Sequence, residues 1–205
     1  MNLKDKKYSE FHLVQEMMQT AQTVAAFDQK DSKFVADAAA RKGKLFFTGE
    51  GSSRIMPSKN AMRRAKTWGG DVDFQTEGSH QASEYKLDKY ALLLDSNSGR
   101  TKETLLLAGQ LKAQGHADYY GLTANPDTPL EAACVKTHVL KCGWEQAVAA
   151  TKSVVEQALF CDSIVWNVAG KSMKEAGLDT LPEKIEKALT LPVPAQIVDW
   201  VRGAK

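Results

Sequence analysis

Two apolar runs, each followed by a short loop of glycine and serine and then by a helical pattern, constrain this chain more than any other feature. The first run, residues 44–48, precedes the loop at 49–53, and the second, residues 90–95, precedes the loop at 96–101. A tight turn from strand to helix leaves the first N–H groups of the helix unpaired at the positive end of its dipole. Such turns attract phosphate. Two of them on one sheet predict a single pocket for a phosphorylated small molecule.

The rest of the pattern alternates between strands and helices. Further strand-like runs lie at residues 71–75, 119–123 and 137–140, and helical patterns lie at residues 53–67, 101–114, 129–134 and 144–168. Apolar strands that are separated by helices predict a parallel sheet covered on both faces. Such sheets bind ligands at the carboxyl ends of their strands, where both serine loops are expected.

The two ends of the chain read as helical. Apolar residues at helical spacing predict an amphipathic helix over residues 7–27, and Asp31 is a plausible N-cap for the next helix. Pro182 fits the start of a helix that runs to Leu189, and residues 191–194 must be extended. A short amphipathic tail follows. We expect one domain of 205 residues, with a helical extension at 1–42, an α/β core at 43–168 and a helical tail at 169–205.

Composition excludes several classes of protein. The net charge of +2 gives no electrostatic case for binding nucleic acid or an anionic membrane. No apolar run approaches the roughly 20 residues of a membrane helix, and the N-terminus has no apolar core of a signal peptide. Cys134, Cys142 and Cys161 lack metal-site spacing and are expected to be reduced thiols of a cytoplasmic protein. We therefore expect no metal.

The segment 144–168 has apolar residues all around its helical wheel, which is typical of a helix that is buried on nearly every face. One side is expected to cover the sheet and another to meet a partner subunit, in a homodimer or homotetramer. Glu145, Lys152 and Glu156 would share one stripe of that helix. Charges on a buried helix must be paired or functional, so the stripe is either catalytic or a Lys152–Glu156 ion pair.

The histidines differ in their surroundings. His80 lies in the polar segment 77–81 near the expected ligand edge and is a candidate acid–base group. His138 lies within a strand-like run and is expected to be a satisfied core residue. His12 and His116 are expected at the surface.

Four segments resemble, in chain order, the motifs of the SIS (sugar isomerase) domain family, especially the first isomerase half of glucosamine-6-phosphate synthase. They are Gly49-Glu50-Gly51-Ser52-Ser53, Ala82-Ser83-Glu84-Tyr85, Ser96-Asn97-Ser98-Gly99-Arg100-Thr101 and Glu145-Gln146-Ala147-Val148-Ala149-Ala150-Thr151-Lys152. The resemblance implies a flavodoxin-like, five-stranded parallel sheet in a three-layer α/β/α sandwich. It also implies that the sugar phosphate is bound by a set of polar residues: Ser53, Ser96, Asn97, Ser98 and Thr101, with Ser52 beside them.

The chain also departs from the family. Arg100 stands where a glutamate is commoner, and Ala150 replaces a serine of the last motif. The synthase carries two SIS domains with its main catalytic residues in the second, whereas this chain has the length of one. Phosphate binding therefore transfers better than catalysis.

The resemblance implies aldose–ketose isomerisation of a sugar phosphate or amino sugar phosphate through an enediolate. This reaction needs a base and a group that polarises the carbonyl or opens the ring, but no cofactor. Glu145 is the candidate base, and Lys152 and His80 are candidates for the second role. Two alternatives remain open: a non-catalytic sensor of phosphosugars, and a lyase or deglycase acting on a sugar phosphate conjugate. A nucleotide-binding loop is disfavoured, because Arg54 occupies the third glycine position of GxGxxG.

Overall fold

A five-stranded parallel sheet forms the centre of the protein, which a computed structural model describes over residues 5–68 and 70–204. The strands are β1 (Lys44–Gly49), β2 (Asp73–Gly78), β3 (Ala91–Asp95), β4 (Tyr119–Thr123) and β5 (Lys136–Val139). Their order across the sheet is β2-β1-β3-β4-β5. All neighbouring pairs are parallel, so the predicted flavodoxin-like sheet is confirmed.

Helices precede, connect and follow the strands. In the described residues they are α1 (His12–Met18), α2 (Thr20–Ala26), α3 (Lys33–Lys42), α4 (Ser52–Trp68), α5 (Ser79–Ala82), α6 (Lys102–Ala113), α7 (Pro129–Ala133), α8 (Lys152–Val168), α9 (Leu181–Thr190) and α10 (Ala195–Gly203). Short 3-10 turns lie at Lys6–Tyr8, Gln29–Ser32, Met173–Ala176 and Leu178–Thr180. None of the helices in the described part of the chain is long and apolar enough to cross a membrane.

Both faces of the sheet are covered. Leu45, Phe47 and Leu93 point to one face and pack with side chains of α3, α4 and α8. Leu92 and Leu94 point to the other face and pack with side chains of α5, α6 and α7. This alternation along each strand gives the three layers that the sequence predicts.

Helix α8 is covered by more than the sheet. Leu159 and Trp166 form a separate apolar cluster with Val24 of α2, and Leu181 and Ile185 of α9 pack against it. Much of the apolar surface that the sequence analysis assigned to a partner subunit is therefore covered by helices of the same chain.

The N-terminal prediction is wrong in detail. Instead of one helix over 7–27, α1 and α2 are separated at Gln19, and Phe11 precedes α1 with 52% of its surface exposed. Nor is Asp31 an N-cap. It lies inside the turn that Asp28 caps through the Lys30 N–H, at 2.9 Å, and it forms an ion pair with Lys141 at 2.6 Å.

The predicted helix over 144–168 begins only at Lys152. Residues 144–151 form an irregular segment in which the side chain of Val148 is fully exposed. Glu145 therefore does not share a helical stripe with Lys152 and Glu156. The reason lies in the carboxylates of Glu16 and Glu145, which bind backbone N–H groups of this segment, as described below.

Candidate functional site

Both serine loops begin at the same level of the sheet. Gly49 at the end of β1 is paired with Asp95 at the end of β3, and a loop follows each of them. The chain leaves β1 toward β2 on one side and β3 toward β4 on the other, so these adjacent strands flank the topological switch point. Open α/β sheets bind their ligands in the crevice at this point.

The loop between β3 and α6 is held in a tight turn. The hydroxyls of Ser96 and Thr101 share a hydrogen bond of 2.7 Å, and the Ser98 hydroxyl accepts one from the Arg100 N–H at 3.2 Å. Gly99 has a φ of +64°, and a Cβ there would lie 2.4 Å from the Thr128 hydroxyl oxygen. The turn thus needs glycine both for its conformation and for its close contact with Thr128.

The N-terminus of α6 is open to a ligand. Among the described residues no side chain caps it, although its first N–H groups have no acceptor within the helix. The hydroxyls of Ser96, Ser98 and Thr101 stand beside these donors. Together they form a set of donors suited to a phosphate.

The two loops touch each other. The Asn97 N–H donates to the Ser53 hydroxyl at 3.3 Å. The carbonyl of Asn97 accepts from the Ala124 N–H at 3.0 Å, which ties the loop to the end of β4. The side-chain Oδ1 of Asn97 is buried and has no partner among the described residues. It is free to accept a hydrogen bond from a ligand hydroxyl.

Ser52 and Ser53 lie in the first turn of α4 with different exposure: Ser53 is buried and Ser52 is exposed. His80, in α5, is exposed beside this first loop, and its backbone N–H donates to the Glu50 carboxylate at 3.3 Å. The structure therefore brings His80 near the glycine–serine loop after β1, at the end of β2.

Glu145 caps α8. One carboxylate oxygen accepts from the Thr151 N–H at 2.9 Å, the Thr151 hydroxyl at 2.6 Å and the Lys152 N–H at 3.0 Å. The other accepts from the N–H of Ser153 at 3.3 Å and from its hydroxyl. Partial burial raises the pKa of this carboxyl, but the hydrogen bonds from Ser153 and Thr151 outweigh it, so the pKa is lowered overall.

Two further glutamates, one in α8 and one in α1, bind the backbone between β5 and α8. Buried Glu156 accepts from the N–H groups of Lys141 and Cys142, at 2.9 and 2.7 Å. Buried Glu16, in α1, accepts from the N–H groups of Gln146 and Ala147. With Glu145, these carboxylates satisfy the backbone donors of an irregular segment that would otherwise lack partners.

Lys152 is buried at the start of α8, and its Nζ donates to Gln19 Oε1 at 2.6 Å. Lys152 and Glu156 thus have other partners than the ion pair that the sequence analysis considered. Glu145 makes its hydrogen bonds with the start of α8, and the amine of Lys152 makes its hydrogen bond with Gln19, between α1 and α2. The phosphate-loop residues make theirs with each other, with Ser53 of α4 and with the end of β4.

Glu16 and Asp95 are functional candidates that the sequence pattern does not predict. Glu16 binds backbone that is 130 residues away, and no local pattern signals such a contact. Asp95 is fully buried at the end of β3, and burial raises its pKa well above the ordinary range despite a hydrogen bond from Gln157 Nε2 to Oδ1 at 2.7 Å. Its other oxygen has no partner among the described residues. The sequence signal for Asp95 is that a charged residue ends an apolar run.

Burial also shifts the pKa values of the remaining titratable candidates. Burial lowers the pKa of His138, which stacks on Phe160, and its Nε2 is buried without a partner in the described residues, so it is not the satisfied core residue expected. Burial raises the pKa of Cys134 and of Cys142 to about 12. All three cysteines are free thiols.

Neither protein-family models nor curated proteins match this chain at the level of sequence. Solved structures do. A candidate phosphosugar isomerase from Silicibacter pomeroyi superposes with a TM-score of 0.72 at 22% identity, over 86% of this chain and 56% of that one.

Two other solved structures also superpose on this chain. The C-terminal domain of glucosamine-fructose-6-phosphate aminotransferase from Francisella tularensis gives a TM-score of 0.64 at 18% identity, over 91% of this chain and 56% of that one. The NanR protein of Vibrio vulnificus, solved with ManNAc-6P, gives 0.58 at 16% identity, over 88% and 68%. This chain spans little more than half of the first two structures. The order of its strands, the place of its two serine loops and these superpositions show that the chain has the SIS-domain fold.

Proposed function

We propose that this chain binds a sugar phosphate at the carboxyl edge of its sheet, with the phosphate at the N-terminus of α6. The observation that carries the proposal is the uncapped first turn of α6 beside the hydroxyls of Ser96, Ser98 and Thr101. A dianion gains there from unpaired N–H groups, hydroxyl donors and the helix dipole together. The unpartnered Oδ1 of Asn97 adds an acceptor for a sugar hydroxyl.

The comparisons support the same ligand class. One structure with this fold is described as a candidate phosphosugar isomerase, and another was solved with ManNAc-6P bound. Both identities are low, so the ligand and the reaction of this chain rest on the site itself.

As the reaction we propose aldose–ketose isomerisation. A base removes the proton from C2 of the open-chain aldose, the electrons move through an enediolate, and the proton returns to C1. Glu145 is the proposed base, and Lys152 and His80 are proposed to polarise the carbonyl or open the ring. In this arrangement Glu145 must release some of its donors before it accepts a proton, because five donors occupy its carboxylate.

The five hydrogen bonds to the Glu145 carboxylate favour a second candidate function, which is binding of a phosphosugar without turnover. A carboxylate with a lowered pKa that caps a helix is a weak base. The amine of Lys152 also donates a hydrogen bond to Gln19 Oε1. A binding module would need only the serine loops.

One experiment separates the two functions. The protein is incubated in D₂O with glucose 6-phosphate and, separately, with fructose 6-phosphate, and deuterium at C2 and C1 is followed by NMR, while calorimetry measures binding. Binding with exchange supports isomerisation, and loss of exchange with retained binding in Glu145→Gln supports Glu145 as the base. Binding without exchange supports the second function. Absence of binding across hexose, pentose, heptose and amino sugar phosphates would overturn both.

A further inference from the structure

A cavity of about 530 Å³ opens directly beside the phosphate loop. It lies at the carboxyl ends of β3, β4 and β5, and its lining includes polar and apolar side chains from the loops that follow them: Ser98, Arg100, Asn125, Thr128, Leu140 and Trp144. This volume falls within the range of about 300–1,000 Å³ that is usual for small-molecule sites. Because Ser98 and Arg100 belong to the phosphate loop, a ligand anchored there extends into this cavity.

Arg100 is the only charged residue in that lining. Its side chain is exposed, and none of the carboxylates in the described residues lies within ion-pair distance of it. The position follows Gly99 at the tip of the turn, where the motif that this loop resembles commonly has glutamate. The charge at the mouth of the cavity is therefore positive.

The indole side chain of Trp144 also lines the cavity. It lies in the irregular segment before α8, and 68% of its surface is exposed. Glu16 and Glu145 hold the backbone that follows Trp144, through hydrogen bonds from the N–H groups of Ala147 and Thr151. An exposed indole beside a polar loop presents an apolar face to the C–H groups of a sugar.

We propose that this cavity holds the carbon skeleton of the ligand, and that Arg100 selects a sugar phosphate that carries a second acidic group. This inference rests on the proposed function. A guanidinium with no carboxylate partner binds a ligand carboxylate through two parallel hydrogen bonds. The same charge repels the ammonium group of an amino sugar phosphate and so disfavours that ligand.

The test uses two ligands that differ only at C1: 6-phosphogluconate, which has a carboxylate there, and glucitol 6-phosphate, which has a hydroxyl. Inorganic phosphate serves as the reference. We expect calorimetry to give about tenfold tighter binding of 6-phosphogluconate, the size of one charge-assisted pair. Arg100→Gln, which removes the charge, should remove this preference and should weaken the binding of inorganic phosphate less than that of 6-phosphogluconate. Trp144→Ala should weaken both sugar ligands and leave inorganic phosphate unchanged.

Matched controls come from α10, where Trp200 is exposed to a similar extent, 65%, and Arg202 is exposed. Trp200→Ala and Arg202→Gln should change none of these affinities. Equal binding of the two ligands by the unmodified protein would overturn the inference. So would an Arg100→Gln variant that loses inorganic phosphate as strongly as 6-phosphogluconate, since Arg100 would then bind the phosphate itself. Failure of the proposed function differs from both, because inorganic phosphate and glucitol 6-phosphate would then not bind.

Discussion

The Asn97 backbone N–H donates a hydrogen bond to the Ser53 hydroxyl across 3.3 Å. This contact joins the turn after β1 to the turn after β3, the two strands that flank the switch point of the sheet. Both turns therefore border one crevice, and a ligand that contacts one of them lies within reach of the other.

The phosphate loop gives the first prediction. Ser98→Ala with Thr101→Val removes two hydroxyls beside the N-terminus of α6, and we expect affinity for sugar phosphates and for inorganic phosphate to fall at least about tenfold. Calorimetry measures the affinity, and thermal unfolding checks the fold. Thr67→Val is the control, because it removes a hydroxyl at the far end of α4. Unchanged affinity in the double variant would place the phosphate elsewhere.

Gly99 gives a prediction with an internal control. Gly99 and Gly43 both have positive φ values, +64° and +68°, but a Cβ at Gly43 meets nothing within 4 Å, whereas one at Gly99 meets Thr128 at 2.4 Å. Alanine at either position has a conformational cost of roughly 1–2 kcal/mol. We expect Gly99→Ala to lose about 1–3 kcal/mol more than Gly43→Ala in urea unfolding, because of the contact. Equal losses would show that the loop moves away freely.

The lowered pKa of Glu145 predicts a loss of stability in acid. As the pH falls from the ordinary carboxyl pKa, about 4.3, through the lower folded value, the folded state loses the ionised cap. In Glu145→Gln this part of the pH dependence should disappear, since glutamine does not titrate. The difference in unfolding free energy between the two proteins should therefore shrink as the pH is lowered from 6 to 3. A constant difference over that range would contradict the capping role.

Asp95 predicts the opposite dependence on pH. Its pKa is raised by burial, so above the ordinary carboxyl pKa the unfolded chain releases a proton that the folded chain keeps. Stability then declines as the pH rises toward the folded pKa. Asp95→Asn keeps an acceptor for Gln157 and removes this decline, so its advantage over the unmodified protein should grow between pH 4.5 and 7.5 in urea titrations. An advantage that does not change with pH would show that Asp95 is ionised when folded.

The oligomeric state remains a prediction. Val154 and Ala158 line a groove of about 390 Å³ between α4, α8 and the segment that leads into α9. We expect Val154→Glu with Ala158→Glu to convert a homodimer or homotetramer into monomers in sedimentation velocity, with weaker ligand binding. Ile197→Glu, in α10, is a control for the effect of a surface charge. A monomeric unmodified protein at micromolar concentration that binds ligand fully would exclude the assembly.

The sheet and both serine loops could be predicted because their signals are local. Each strand is a short apolar run, and each loop follows its strand directly, so residues 44–49 and 91–95 lie where the pattern places them. The start of α8 could not be predicted in this way. Residues 144–151 have a helical pattern, but their backbone donors are bound by carboxylates that include Glu16, on a helix far away in the sequence.

The same reason explains what was missed at the site. The phosphate-loop residues share one turn, so their proximity follows from their spacing. The surroundings of Glu145 depend on the irregular backbone that precedes α8. This backbone turns the Glu145 side chain onto the first N–H groups of α8, so Glu145 caps the helix and does not lie on the predicted stripe. Burial of Asp95 depends on Gln157 and on the packing of α8 over the sheet, and neither is visible in a linear pattern.

The carboxylates that hold residues 141–153 bind main-chain N–H groups, and every residue except proline carries one. The anchoring of this segment therefore does not depend on most of its own side chains, such as those of Val148 and Ala149, which point into solvent. Substitutions of Val148 and Ala149 therefore change the exposed surface of this segment while its main-chain hydrogen bonds remain. A combinatorial library confined to these two positions is expected to leave the anchoring, and the proposed roles of Trp144, Glu145 and Lys152, unaltered.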